Sequence, residues 1–167
     1  AAHTCRHFSS RFVAMIKGIM IINNHGKPRL SKFYEHLSLT KQQQMIRECY
    51  SLISKRSDRV CNFLEEVGEW GKDTKLVYRV YATLYFVFVV DGSESELGIL
   101  DLIHVMVETL DHVFENVCEL DLIFHTDKVH YILDEIVMGG MVLETNLQEI
   151  MTAIKDQEEM ESRGSRV

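Results

Sequence analysis

Residues 76–90 read Leu76-Val77-Tyr78-Arg79-Val80-Tyr81-Ala82-Thr83-Leu84-Tyr85-Phe86-Val87-Phe88-Val89-Val90, the most β-branched and aromatic stretch of the chain. Such residues fit a pleated, packed surface, so Leu76 to Tyr81 and Ala82 to Val90 are predicted as two strands. Side chains alternate across a strand, and the second strand is apolar on both faces, so both must be covered. The short link between the two argues for antiparallel pairing. A sheet with helices on either side is the expected architecture.

Outward from that strand, Ile16 to Ile22 forms another apolar, β-branched run, followed by Asn23-Asn24-His25-Gly26 and the alternating segment Arg29 to Tyr34. Pro28 stands where a strand tolerates the loss of its N–H, so the pair reads as a hairpin. Thr40 and Gln43 have capping-box spacing ahead of Met45, Ile46, Cys49, Tyr50 and Ile53, which predicts a helix to about Lys55. Ser93 and Glu96 repeat the signature before Leu100, Ile103, Val107, Leu110, Phe114 and Val117, the longest helical stripe. Lys128 to Met138 is expected as a further helix, ended by Gly139-Gly140. Thr145 and Gln148 open the last helix, whose apolar positions Leu147, Ile150, Met151 and Ile154 give way to a polar tail over 157–167, expected to be disordered.

The chain has 167 residues, 46% of them hydrophobic, which suits one domain with a real core. Its net charge of -7 opposes nucleic-acid binding, which needs clustered Lys and Arg, and makes the surface a poor membrane anchor. Cys5, Cys49, Cys61 and Cys118 include no CxxC pair, so reduced cytosolic thiols fit better than a zinc site or a disulfide scaffold. The longest apolar runs, Leu84 to Val90 and Ile136 to Leu143, are far shorter than the roughly 20 residues that span a bilayer. Residues 1–14 hold Arg6, Arg11, His3 and His7 but no acid. That bias suits either a transit peptide or a non-native or disordered extension ahead of a domain over 15–156; a start at Met15 favours the extension.

Catalytic signatures are missing: the sequence has no GxSxG, GxxxxGK[ST], GxGxxG or HExxH, and Gly71-Lys72-Asp73 lacks the rest of a phosphate loop. His104 with Glu108, and His112 with Glu115, have spacings that could place metal ligands on one helix face, but a solvated face opposite the apolar stripe accounts for them better. No catalytic residue, metal or cofactor is therefore assigned.

Four stretches carry a family likeness: Asn24-His25-Gly26-Lys27-Pro28-Arg29-Leu30-Ser31-Lys32-Phe33-Tyr34, Tyr81-Ala82-Thr83-Leu84-Tyr85-Phe86, Glu108-Thr109-Leu110-Asp111, and Phe114-Glu115-Asn116-Val117-Cys118-Glu119-Leu120-Asp121. From Met15 onward the chain resembles the small-chain (sigma) family of clathrin-type adaptor complexes. Ser93 to Leu97, Ile99 to Ile103 and Met138 to Thr145 resemble the type-3 branch most. The resemblance implies an α+β, longin-like fold: a five-stranded antiparallel sheet flanked by helices, with C-terminal helices. The remaining strand would be Asn62 to Glu66. It also implies an adaptor rather than an enzyme, assembled with large (delta- and beta-type) and medium (mu) subunits. Such a subunit is cytoplasmic, sits peripherally on Golgi, endosomal and vesicle membranes, and serves transport towards lysosomes.

By the same resemblance, cargo tails with acidic dileucine signals, [D/E]xxxL[L/I], bind here. Their leucines would enter pockets walled by strand residues Ala82 and Leu84 and by Val107, Val117 and Leu122. Asn116 would bond the peptide backbone and Arg29 would face the signal's acid. Every one of these side chains also suits an ordinary core or surface role. Val80 departs from the family's pattern, in which a basic or histidine side chain often follows the residue matching Arg79, and this implies a weaker contact to the acid. Two other readings stay open: a stand-alone longin domain, told apart by its lack of leftover exposed apolar surface, and a small enzyme, which would need a polar cleft with tuned pKa values.

Overall fold

A computed structural model describes residues 16–56, 62–65 and 67–164, so the extension over 1–14 lies outside the described residues, as do Cys5 and Cys61. The doubly apolar strand is β5, Leu84–Asp91. It pairs antiparallel with β1 (Ile16–Asn23) on one side and β4 (Thr74–Tyr81) on the other. With β2 (Pro28–Phe33) and β3 (Phe63–Glu65), the described residues form a five-stranded antiparallel sheet of order β2-β1-β5-β4-β3. The two strands most apolar on both faces thus lie next to each other in the middle.

Alternation divides their side chains between two cores. Ile19, Ile21, Phe86, Phe88 and Val90 pack under α2 (Glu96–Phe114), α4 (Thr126–Ile136) and α5 (Leu147–Gly164). Met20, Ile22, Val87 and Val89 pack on the other face, against Met45, Ile46, Cys49 and Ile53 of α1 (Leu39–Ile53). Each such buried side chain is worth roughly 1.5–3 kcal/mol. Both faces are therefore covered by helix, as the composition of β5 requires.

Several boundaries differ from expectation. The α1 cap is Ser38, whose Oγ accepts from Lys41 N at 3.4 Å, and the α2 cap is Ser95, which accepts from Gly98 N at 3.4 Å. Ser93 instead donates its hydroxyl to Asp91 Oδ1 at 2.8 Å in the preceding turn. The segment expected to end a helix at Gly139-Gly140 is a hairpin, β6 (Val137–Met138) and β7 (Met141–Val142), turned on those glycines with φ of 59° and 81°. At Gly140 a Cβ would lie 2.5 Å from the Ile16 carbonyl oxygen, while the Gly140 carbonyl accepts from Ile16 N at 2.8 Å. The residues from 157, expected as a disordered tail, continue α5 as helix to Gly164. A short helix the periodicity does not show, α3 (Glu119–Phe124), follows α2.

Candidate functional site

The β4–β5 link is a two-residue turn, Ala82-Thr83, with Ala82 at φ 53°. Ala82 is therefore a turn residue and not, as expected, a strand residue on the same face as Leu84. Positive φ at the first central position alone is the sign pattern of a II′ turn, where glycine is usual. Across from it, α2 ends at Phe114, and Glu115 (φ 51°) and Asn116 (φ 79°) turn the chain left-handed. Val117 thus lies beyond the helix rather than on one stripe with Val107. Its N–H donates to Asp111 Oδ1 at 3.0 Å, which ties the turn back to α2.

Between these two turns opens a cleft of about 460 Å³. Its apolar lining comes from Ala82, Leu84 and Phe86 of the hairpin, Val107 of α2, and Val117; its polar rim comes from His104, Glu108, Asp111 and Glu119. Four residues named from the sequence, Ala82, Leu84, Val107 and Val117, are brought together here. Leu84 is nearly buried, Val107 and Val117 are half-buried, and Ala82 is exposed at the mouth.

The other three fall differently. Leu122 of α3 is 1% exposed and belongs to the core beneath the cleft rather than to its wall. Asn116 is exposed in the left-handed turn and does not line the cleft. Arg29 reaches it through Glu119, whose Oε1 accepts from Arg29 Nε at 2.5 Å and from Asn23 Nδ2 at 3.0 Å. Those two donors hold the Glu119 carboxyl below its usual carboxylate value. Glu119 lies inside a quoted family motif, yet nothing in the sequence pairs it with a residue ninety positions earlier.

The start of α3 is fixed by a reciprocal cap: Asp121 Oδ2 accepts from Cys118 N at 2.8 Å, and this bond keeps the Asp121 carboxyl below its ordinary value. Val80 faces away from the cleft. It lines a separate one, of about 470 Å³, with Arg56, Tyr78, Arg79 and Tyr85. The departure at Val80 therefore does not touch the wall that holds Leu84 and Val107. His104 Nε2 stands 3.3 Å from Glu108 Oε1 as a half-exposed pair, and no group of three metal-ligating side chains occurs among the described residues. The cleft is an apolar slot with a charged rim, the usual make-up of a binding site.

The family model of the clathrin adaptor complex small chain matches residues 15–161. The chain belongs to the clathrin adaptor complex small chain family. This is a family of adaptor subunits, not of enzymes, and its work is protein and vesicle transport. Among its relatives, the AP-3 complex subunit sigma of Dictyostelium discoideum is 65% identical over 151 residues, covering 88% of each chain. The human AP-3 complex subunit sigma-2 is 64% identical over 150 residues, covering 88% of this chain and 77% of that one. The fold matches a chain of the homology model of the full-length AP-3 complex in a stretched open conformation, with a TM-score of 0.69 and 41% identity, over 92% of this chain and 99% of the other. The fold class is thus α+β and longin-like, as the resemblance implied. Among the described residues, no helix is long and apolar enough to cross a membrane.

Proposed function

We propose that the chain is the sigma subunit of a type-3 adaptor complex and that its cleft takes the two leucines of acidic dileucine signals. In this reading it is held between large delta- and beta-type subunits and a medium mu subunit. The assembly works peripherally on Golgi and endosomal membranes, selecting cargo bound for lysosomes. The observation that supports the reading most is the convergence of Ala82, Leu84, Val107 and Val117, from two distant segments, on one apolar slot with Arg29 one ion pair from its rim.

Magnitudes rank the parts of recognition. Burying two leucine side chains contributes roughly 1.5–3 kcal/mol each, whereas an exposed ion pair contributes about 0.2–1 kcal/mol. Val107→Asp puts a charge where a leucine must sit and abolishes peptide binding, while the half-exposed position lets the subunit stay folded. Arg29→Ser weakens binding by a few fold, and the difference shrinks in high salt. Titration of an acidic dileucine peptide into the assembled complex, with each substitution in turn, is the test. Normal binding by Val107→Asp would place recognition elsewhere on the subunit.

A further inference from the structure

The guanidinium expected to meet the signal's acid holds a carboxylate of this chain. Glu119 Oε1 accepts from both Arg29 Nε and Asn23 Nδ2. Asn23 is itself fixed: it is 3% exposed, and its Oδ1 accepts from His25 N at 3.0 Å and Lys27 N at 2.9 Å in the β1–β2 turn. Glu119 is therefore anchored by two donors on the cleft rim, with Arg29 and Glu119 about a quarter exposed. Taken together the pair carries no net charge, so an incoming carboxylate meets repulsion from Glu119 as well as attraction to Arg29. It must either displace Glu119, which leaves Asn23 Nδ2 without its acceptor, or share the guanidinium through the Nη groups beside a like charge.

We propose that Glu119 is a specificity-determining residue of this cleft, an internal stand-in for the signal's acid that sets how strongly an acidic residue is preferred over a neutral one. This rests on the dileucine reading above. Glu119 damps the contribution of Arg29, so the cleft reads the leucines first and tolerates signals whose upstream residue is neutral.

Glu119→Gln keeps an oxygen for Asn23 Nδ2 and removes only the charge, which makes it the informative variant. Two peptides that differ only in Glu or Gln four residues before the first leucine are titrated into assembled complexes carrying the wild-type or Glu119→Gln subunit. The expected result is a Glu-over-Gln affinity ratio raised about two- to fivefold by Glu119→Gln, the size an exposed ion pair supplies. The Gln peptide should change little, and the gain should vanish at high salt. Adding Arg29→Gln should return the ratio to near one, and an unchanged thermal midpoint checks that neither variant disturbs the fold. An unchanged ratio overturns the proposal while leaving the dileucine reading intact. A lowered ratio also overturns it, by showing that Glu119 aims Arg29 at the signal instead of competing for it. If neither peptide binds either complex, the dileucine reading fails and the role of Glu119 fails with it.

Discussion

Ala82 shows how much one residue of this cleft carries. At φ 53° it occupies a conformation that costs an L-residue about 1–2 kcal/mol and that a β-branched side chain resists most. Ala82→Val should therefore lower stability by about that amount and also narrow the mouth of the cleft; an unchanged thermal midpoint would show that the turn repacks freely. In the sequence Ala82 reads as strand because it leads directly into the apolar run Leu84 to Val90 and the turn lacks the glycine or asparagine that usually marks one. The cleft valines, Val107 and Val117, come from the family resemblance, since a half-buried valine in a pocket and one in a core have the same sequence signature. Cysteine reactivity belongs to this scale too. Burial pushes the Cys49 thiol up to about 12, so it stays protonated at pH 8, whereas Cys118 is exposed. In the folded protein, a thiol reagent at that pH should label Cys118 and spare Cys49, with site-resolved mass spectrometry as the readout. Rapid labelling of Cys49 would mean that α1 opens readily.

Helices with long stripes and strands with clear alternation were legible; short or shared elements were not. A six-residue helix such as α3 spans too few turns for periodicity, and the two-residue strands β6 and β7 are too short to alternate. Caps shifted by two residues because Ser38 and Thr40, or Ser93 and Ser95, offer equivalent hydroxyls, and only the backbone conformation chooses between them. The turns and caps share one chemistry that predicts a pH response. Asp91, held by Ser93, Glu96 by Lys75, Asp121 by Cys118 and Glu144 by Asn146 all have carboxyl values below the ordinary range. A carboxyl depressed on folding stabilises fully above its unfolded value and loses that contribution as pH falls through its folded one. These elements should therefore hold their stability from pH 7 down to about 4 and lose it below. Thermal scans across that range are the check, and a steep loss already between pH 7 and 5 would point to histidine protonation instead.

At the scale of the whole molecule, Leu120, Ile123 and Phe124 leave an apolar surface on α3, with Phe124 74% exposed. A contiguous surface of that kind marks a site that a partner covers. Expressed by itself, the chain should aggregate or recruit chaperones, and co-expression with the N-terminal half of a large adaptor subunit should rescue it; a monodisperse monomer with no affinity for that subunit would contradict the assembly proposed above. The overall architecture was the most legible level, because one doubly apolar strand already demands cover on two sides. What composition alone could not supply was which strand lies on its other side from β4. That neighbour is β1, the earliest described strand, whose partner β5 follows only after residue 84 and whose first N–H is tied to Gly140. During synthesis, the apolar strand β1 must therefore wait, paired at most with β2, until over half the chain has left the ribosome. Nascent chains from which residue 84 has not yet emerged should be held by ribosome-proximal chaperones, and those from which residue 91 has emerged should begin to let go.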